Sequence, residues 1–170
     1  MEPNRPTHLD AEGRARMVDV GDKPVTRRRA VAEGRIRMRR GTLEAIRDGE
    51  VPKGDVLAVA RLAAIGGAKR TAETIPLCHP LPLTSIEVDV RLEDADSGPA
   101  LRLVVGAAVE ARTGVEMEAL CGVSAGLLAV YDMCKALDRE MEIGEVRLVS
   151  KEGGRSGSWR RPEETENGAD

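Results

Sequence analysis

Four short blocks of the sequence place a histidine, a carboxylate or a lysine inside or beside an apolar stretch. They are residues 75–84 (IPLCHPLPLT), 114–120 (GVEMEAL), 131–136 (YDMCKA) and 151–157 (KEGGRSG). A charge in such a place costs free energy unless it is paired. Ionisable groups held in costly places are candidates for catalysis or binding, so these blocks are where a functional site is expected.

His79 lies between Cys78 and Pro80, in a segment that also contains Pro76 and Pro82. The prolines exclude a regular helix or a central strand and predict a stiff loop. A neutral imidazole held there can act as acid, base or hydrogen-bond donor. The alternative is a histidine that only caps a buried carbonyl group.

The longest predicted helix covers residues 115–139, and one face of it carries small residues between two carboxylates. That face holds Glu118, Gly122, Ala125, Ala129 and Asp132. Either a second helix or a ligand could approach it closely. Lys135 lies three residues after Asp132, so the two can pair, as a functional pair or as a plain surface salt bridge. The predicted core residues of this helix are Met117, Leu120, Leu127, Leu128 and Tyr131.

Lys53 immediately precedes a second, Ala-rich helix that is predicted over residues 54–72. The helix dipole disfavours a cation there, and an anion bound to the free N–H groups would explain it. The alternative is a lysine that simply faces solvent.

Loop 153–157, which contains Arg155 and follows Lys151, could present N–H groups to an anion. It lacks the spacing of a P-loop and could equally be a flexible segment.

The elements that must position these residues alternate between strands and helices. The predicted strands are 34–39, 84–92, 101–109 and 145–150; the helices are 43–47 (capped by Thr42), 54–72 and 115–139; residues 18–33 are an irregular basic segment. This order predicts an α+β, ferredoxin-like split β-α-β fold, with an antiparallel sheet and helices on one face. If the other face is apolar, a partner subunit is its natural cover.

Length and composition predict one domain, residues 1–160, followed by a mobile acidic tail at 161–170. With 41% hydrophobic and 32% charged residues the chain has the composition of a soluble globular protein. A net charge of -3 argues against a dedicated nucleic-acid binder. The basic run 23–40 suggests a small anionic ligand instead.

Three cysteines without a C-x-x-C pair, and only two histidines, predict no metal site. An odd cysteine count and the lack of a secretory signal indicate a reducing cytoplasm. No apolar run reaches the roughly 18 residues that span a membrane.

With these blocks in view, the chain resembles the MoaC family of cyclic pyranopterin monophosphate synthases. The resemblance runs from about Thr7 to Trp159. It includes the four blocks above and the segments 17–20 (MVDV), 53–55 (KGD) and 68–71 (AKRT). It implies a ferredoxin-like fold and a homohexamer, a trimer of dimers with active sites at the subunit interfaces.

The resemblance also implies a reaction. A phosphorus–oxygen lyase of this family converts (8S)-3′,8-cyclo-7,8-dihydroguanosine 5′-triphosphate to cyclic pyranopterin monophosphate and releases pyrophosphate. This is an early step of molybdenum cofactor (molybdopterin) biosynthesis, and an upstream radical-SAM GTP cyclase supplies the substrate. The reaction needs proton transfers and charge neutralisation, and no cofactor or metal is implied.

By resemblance, Lys53, Asp132 and Lys135 match the catalytic residues of the family. The positions that match substrate-binding residues are Leu77, Cys78, His79, Glu116, Met117, Glu118, Arg28 and Lys151. Residue 155 is arginine where close relatives often carry lysine, which puts a role for an amine there in doubt. The run of arginines at 27–29 leaves open which of them contacts phosphate.

Three other classes of function compete with this one. A non-catalytic module that binds anionic metabolites would not need Lys53, Asp132 and Lys135 together. An RNA-binding ferredoxin-like domain would stack bases on strand aromatics, and the predicted strands contain none. A purely structural oligomer would not explain the loop around His79.

Overall fold

The computed structural model describes residues 12–95 and 98–162. Nine elements follow one another: β1 (Thr26–Arg37), α1 (Arg40–Asp48), α2 (Val56–Lys69), α3 (Thr71–Thr74), β2 (Ser85–Ala95), β3 (Gly98–Ala111), α4 (Glu116–Cys134), β4 (Glu142–Glu152) and β5 (Trp159–Arg160). The start of the family resemblance, up to residue 11, and most of the predicted acidic tail, 163–170, lie outside the described residues.

A five-stranded sheet with the order β2-β3-β1-β4-β5 organises the molecule, and every neighbouring pair is antiparallel. The helices α2 and α4 pack side by side, and α4 also contacts β1, β3 and β4. The predicted α+β ferredoxin-like fold, with helices on one face of the sheet, is therefore confirmed. The short strand β5 was not predicted.

Strand β1 begins at Thr26, so the prediction of an irregular segment up to residue 33 was wrong. Its small apolar residues Ala30 and Ala32 are buried on the helix side of the sheet. Arg29, Arg35 and Arg37 alternate with them and face the other side, where Arg29 meets Glu87 of β2 and Arg35 meets Glu93. The first half of the strand was missed in the sequence because alanines, rather than large apolar residues, alternate with its arginines.

The open face of the sheet is a network of ion pairs rather than an apolar surface. At its centre Glu33 is 4% exposed and accepts hydrogen bonds from Arg102 and Arg147. Burial opposes ionisation of Glu33, but the bonds and charges of the two arginines outweigh it and leave its pKa lowered. A partner subunit was expected on this face only if the face was apolar, and it is not.

Helices α2 and α4 approach at backbone distance through the small-residue face predicted for α4. A Cβ atom on Gly67 would lie 2.5 Å from Cβ of Ala125, and one on Gly122 would lie 3.1 Å from the main-chain oxygen of Ala64. Of the two alternatives for this face, a second helix or a ligand, the structure shows the second helix. Leu128 and Met117, predicted to be core, are 60% and 36% exposed instead. Because α4 is apolar on most sides, its sequence does not reveal which side is buried.

Asp138, just after α4, fixes the start of α1. Its carboxylate accepts a hydrogen bond from the backbone N–H of Arg39 at 2.8 Å and one from the hydroxyl of Thr42. The predicted capping role of Thr42 was therefore wrong, since α1 begins two residues earlier and Thr42 is buried within it. The predicted extension of α4 to residue 139 was also wrong, because the helix ends at Cys134.

By length and composition α4 could cross a bilayer, the one described helix of which this is true. Half of its most apolar 18-residue window is buried inside the fold, as in the core helix of a globular protein. The composition of α4 is therefore weak evidence for a membrane span.

Candidate functional site

At the C-terminal end of α4 one carboxylate bridges two lysines. Lys53 Nζ lies 2.8 Å from Oδ2 of Asp132, and Lys135 Nζ lies 2.7 Å from Oδ1 of the same side chain. Lys53 Nζ also donates to the main-chain oxygen of Asp132 at 2.8 Å. The structure therefore brings together all three of the residues predicted to be catalytic, and we call Lys53, Asp132 and Lys135 the lysine–aspartate cluster.

A tight turn before α2 aims Lys53 at this cluster. Gly54 has a φ of +100°, which favours glycine, and Asp55 caps α2 by accepting a hydrogen bond from Ala58 N. Because Asp55 already fills the anion position at the start of α2, no bound anion is needed to explain Lys53. The cation instead meets the last turn of α4, where free carbonyl groups and the negative end of the dipole favour it.

The contacts of the cluster stabilise the charged forms of Asp132 and Lys135. Hydrogen bonds from Lys135 and Lys53, and then their charges, lower the pKa of Asp132 to about 2. The hydrogen bond to Asp132 raises the pKa of Lys135 in turn. In this arrangement the carboxylate is ionised and Lys135 is protonated at neutral pH, so the cluster is prepared to donate protons and to offset negative charge.

Six of the predicted substrate-binding residues meet at the other end of α4. They line a cavity of about 270 Å³, which we call the ring pocket: Leu77, Cys78, His79, Glu116, Met117 and Glu118. The proline-containing loop supplies the first three and the first turn of α4 the others. No group of three or more potential metal ligands occurs in the described part of the chain.

Glu118 and Cys78 are the two perturbed groups of the ring pocket. Glu118 is 4% exposed; burial, together with the charge of Glu116, raises its pKa despite a bond to its own backbone N–H. Burial also raises the pKa of the Cys78 thiol, and the charges of Glu118 and Cys121 add to the effect. The surroundings of Glu118 and Cys78 therefore oppose ionisation, whereas the cluster at the far end of α4 stabilises the charge of Asp132.

A larger cavity of about 750 Å³ adjoins the ring pocket, and Gly114 and Lys23 line both. We call it the cationic cavity because Lys23, Arg28, Arg112 and Arg155 line it, against one carboxylate, that of Asp22. No site role was predicted for Lys23 or Arg112 from the sequence. Only weak sequence features indicated a site role for them: Lys23 belongs to the basic run 23–40, and Arg112 lies two residues before Gly114.

Arg28 is the arginine of the 27–29 run that lines this cavity. Its Nε donates to the main-chain oxygen of Ala111 and its Nη2 to that of Arg112, each at 3.1 Å. Gly154 has a φ of +74°, and a side chain there would overlap the Arg28 guanidinium. By contrast, Arg29 pairs with Glu87 on the open face of the sheet.

Lys151 lies between the ring pocket and the cationic cavity. It lines a small cleft together with Arg28, Gly114 and Glu116, and its Nζ donates to Oγ of Ser156 in the glycine-rich loop. All eight predicted substrate-binding residues therefore line adjoining cavities at the N-terminal end of α4.

The two halves of the predicted site are far apart within one chain. Sixteen residues of α4 separate Glu116 from Asp132, which corresponds to about 24 Å along the helix axis. The reacting atoms of one small substrate cannot contact both halves in a single chain.

Comparison with known proteins gives a consistent result. The MoaC family model matches residues 17–154. Two curated relatives, from Thermomicrobium roseum and Chloroflexus aurantiacus, each carry the name cyclic pyranopterin monophosphate synthase. Both are 57% identical to this chain; the first alignment covers 93% of the chain and 94% of the relative, the second 94% and 96%.

Proposed function

Since the chain belongs to the MoaC family, we propose that it is a cyclic pyranopterin monophosphate synthase of molybdenum cofactor biosynthesis. It would convert the cyclised dihydro-GTP to cyclic pyranopterin monophosphate and pyrophosphate, as a phosphorus–oxygen lyase in the cytoplasm. The observation that carries the proposal is the lysine–aspartate cluster, in which Lys53 and Lys135 share the carboxylate of Asp132.

The ring pocket suits the guanine-derived part of the substrate. Leu77 and Met117 offer apolar contact, and the two glutamates can hydrogen-bond to ring nitrogens. Burial raises the pKa of Glu118, and a carboxyl that carries its proton can donate a hydrogen bond where a carboxylate only accepts. His79 lies at the same pocket and can serve as donor or acceptor.

The cations account for the phosphate chemistry. When a hydroxyl oxygen attacks the α-phosphorus, it loses its proton to the departing pyrophosphate or to solvent, the bond between the α-phosphorus and the bridging oxygen breaks, and pyrophosphate leaves with the bonding electrons. Fixed positive groups stabilise the charge that develops, and Arg28 and Lys151 are the candidates next to the ring pocket. Lys53 and Lys135 would supply protons during ring rearrangement, with Asp132 orienting both amines.

We further propose that the active site forms between two chains. The separation of about 24 Å between the two halves means that the lysine–aspartate cluster must come from another copy. Helices α2 and α4 expose Leu62 (69%) and Leu128 (60%), which offer apolar surface for such a contact. A two-fold axis near the middle of α4 would place the N-terminal end of one helix beside the C-terminal end of its partner, as in a dimer within a homohexamer.

Turnover by the purified protein tests the function. The substrate is generated anaerobically by the upstream radical-SAM cyclase, and the readouts are pyrophosphate and the oxidised, fluorescent pterin. We expect equal amounts of both, without added metal, because the cations of the chain offset the phosphate charge. A substrate that binds but persists would instead favour the second candidate, a non-catalytic module for anionic metabolites.

Subunit complementation tests the shared site. A Glu116→Ala chain and a Lys135→Ala chain, each inactive alone, are co-expressed. If each site combines the two ends of α4 from two chains, random pairing restores about one quarter of wild-type activity. Lys53→Ala mixed with Lys135→Ala is the control and stays inactive, since both changes lie in the same half. No recovery in the first mixture would contradict a site formed between chains.

A further inference from the structure

Asp138 is a buried carboxylate that takes no part in the chemistry proposed above. With 1% of its surface exposed it is the least exposed acidic side chain in the described part of the chain. Burying a carboxylate costs free energy unless hydrogen bonds and an opposite charge compensate. Asp138 follows Lys135 by three residues, so its purpose bears on the lysine–aspartate cluster.

The contacts of Asp138 join the segment after α4 to the start of α1. Its Oδ2 accepts hydrogen bonds from the backbone N–H of Arg39 at 2.8 Å and from the hydroxyl of Thr42 at 3.4 Å. Its Oδ1 accepts from the backbone N–H of Glu140 at 3.1 Å and lies 3.1 Å from Nε of Arg39. Burial opposes ionisation of Asp138, but the bonds from Arg39 and Glu140 outweigh it and leave the pKa lowered.

The segment that Asp138 holds on one side carries Lys135, the residue that follows the last residue of α4. The backbone N–H groups of Leu137 and Asp138 both donate to the main-chain oxygen of Cys134, at 2.8 and 3.0 Å. Arg39 Nη2 adds a bond to the main-chain oxygen of Leu137 at 2.9 Å. The last turn of α4 can therefore fray only if these contacts open, and Lys135 would move with it.

The segment that Asp138 holds on the other side leads to Lys53. Helix α1 starts beside Asp138, and residues 49–52 connect its end to Lys53. Gly49 ends the helix with a φ of +73°, and Val51, which is 4% exposed, fixes the connection in the core. A displacement of α1 would therefore be transmitted to Lys53.

The buried thiol of Cys134 shows that the two ends of this path lie close together. Cys134 has no exposed surface; burial, and then the charge of Asp138, raises its pKa to about 11, and the charge of Lys53 acts in the opposite direction. Both the carboxylate and the amine are therefore within electrostatic range of one side chain.

We propose that Asp138 is a positioning residue of the synthase reaction, which fastens α1 to the end of α4 and so holds Lys53 and Lys135 against Asp132. As a role in catalysis it rests on the proposed function, because the cluster is catalytic only in that reaction. Asp138 touches no reacting atom and acts through the positions of the two amines.

Competitive labelling with a trace of acetic anhydride, read by mass spectrometry, measures how available each lysine amine is in the folded chain. In Asp138→Ala we expect Lys53 and Lys135 to react about two- to tenfold faster at a fixed mildly alkaline pH, the range that loss of one hydrogen bond produces. Separation from Asp132 lowers the pKa of Lys135 towards its ordinary value, so more of the amine is unprotonated. The exposed Lys69 is the internal control and should react at an unchanged rate.

Two milder variants keep the proposal testable if Asp138→Ala does not fold. Asp138→Asn keeps one acceptor oxygen, and Arg39→Ala keeps the carboxylate while removing a guanidinium on a side chain that is 60% exposed. Both should accelerate the same two amines by a smaller factor. Thermal melting of each variant shows whether it is folded.

Glu33→Gln is the matched control for loss of stability. Glu33 is also a buried carboxylate bound by two arginines, but it lies on the open face of the sheet. We expect it to lower the melting temperature without changing either amine. Unchanged labelling of Lys53 and Lys135 in folded Asp138 variants would overturn the proposal. So would equal acceleration in Glu33→Gln, because any loss of stability would then expose the amines.

The pH profile of kcat/KM separates positioning from a smaller folded fraction. A smaller folded fraction lowers the profile without moving it, whereas a displaced Lys135 moves the alkaline limb to lower pH. For Asp138→Ala we expect both a shifted limb and a kcat/KM about 10- to 100-fold lower. Added to Asp132→Asn, the substitution should move the limb no further, because the contact through which Asp138 acts is already lost. A lowered but unmoved profile would contradict positioning.

The labelling test does not require turnover, so the two proposals can fail separately. Faster labelling of Lys53 and Lys135 in Asp138→Ala, in a protein that does not convert the substrate, would retain the positioning of the amines and remove the synthase assignment. Conversion of the substrate, with labelling indifferent to Asp138, would retain the synthase and overturn the positioning role.

Discussion

Lys53 Nζ lies 2.8 Å from both the carboxylate oxygen Oδ2 and the main-chain oxygen of Asp132, a residue 79 positions later in the chain. The lysine therefore has two acceptors at the end of α4. One of them is a main-chain oxygen, which a side-chain substitution does not remove. The charge of Asp132 is shared with Lys135, whose Nζ lies 2.7 Å from Oδ1. Both amines therefore bind the same carboxylate, and Lys53 is held by the main-chain oxygen of Asp132 as well.

Replacing either lysine of the cluster should abolish most of the turnover without unfolding the protein. Both side chains are about half exposed, so Lys53→Ala and Lys135→Ala leave no cavity in the core. Loss of a positioned proton donor typically lowers the rate about 10²- to 10⁴-fold. Steady-state kinetics measure the loss, and Arg47→Ala, an exposed cation on α1, is the control. Near-wild-type turnover in either lysine variant would refute the assigned role.

Asp132→Asn should shift the pH dependence of the reaction. The hydrogen bond and charge of Asp132 raise the pKa of Lys135, so the substitution lowers that pKa towards its ordinary value. If Lys135 acts in its protonated form, the alkaline limb of the kcat/KM profile moves to lower pH. The measurement is a profile across the alkaline range for both proteins. An unshifted limb, with activity retained, would show that protonated Lys135 does not control it.

Glu118→Gln should remove a pH-dependent loss of stability. Burial raises the pKa of Glu118 in the folded state above the ordinary value of 4.5, so above that pH the folded state binds more protons than the unfolded state. Stability contributed by this group is present below pH 4.5 and falls as the pH rises towards the folded-state pKa. Chemical denaturation of both proteins at acidic and neutral pH measures the difference.

We expect the free energy of unfolding of Glu118→Gln, measured relative to that of the wild type, to be higher at neutral pH than at acidic pH. Glu110→Gln, an exposed glutamate of β3, is the matched control and should leave the dependence unchanged. The same pH dependence in Glu118→Gln and the wild type would contradict the effect of burial.

The neighbouring glycines of α2 should respond in opposite directions to alanine. A Cβ atom on Gly67 would lie 2.5 Å from Cβ of Ala125 and 2.8 Å from the main-chain oxygen of Cys121, so Gly67→Ala should destabilise the fold by about 1–3 kcal/mol. On Gly66 it would only reach Arg70 Nη1 at 3.6 Å. Gly66→Ala should therefore stabilise the fold by about 1 kcal/mol through helix propensity.

Urea denaturation of the two variants gives the comparison, and each serves as the control for the other. Destabilisation of similar size in both would show that loss of glycine, rather than contact with α4, decides the outcome.

The sequence predicted the order of the strands and helices because each element carries its own periodicity. The hairpin of β2 and β3 was clear, since Ile86, Val88 and Val90 alternate with polar residues. The start of β1 was missed because its inward residues are alanines. The buried side of α4 was misjudged at Leu128, since the contact surface is made of glycine and alanine, whose role depends on what packs against them.

Most residues of the candidate site were proposed from the sequence, but their grouping in space could not be. The motif containing Asp132 and Lys135 places these two residues together, whereas Lys53 joins them only through the antiparallel packing of α2 on α4. Arg28 could not be distinguished from Arg29 by sequence, because adjacent strand residues differ only in the face they occupy. Their partners, Ala111 and Glu87, distinguish them.

The close contact of α2 with α4 has a consequence for motion. Gly67 and Gly122 let the two backbones touch, so little space exists for one helix to slide or rotate against the other. Local unfolding of either helix would expose the other, and their amide hydrogens should exchange with solvent as one cooperative unit. Lys53 precedes one helix and Asp132 lies in the last turn of the other, so the distance between amine and carboxylate persists for as long as that unit stays closed.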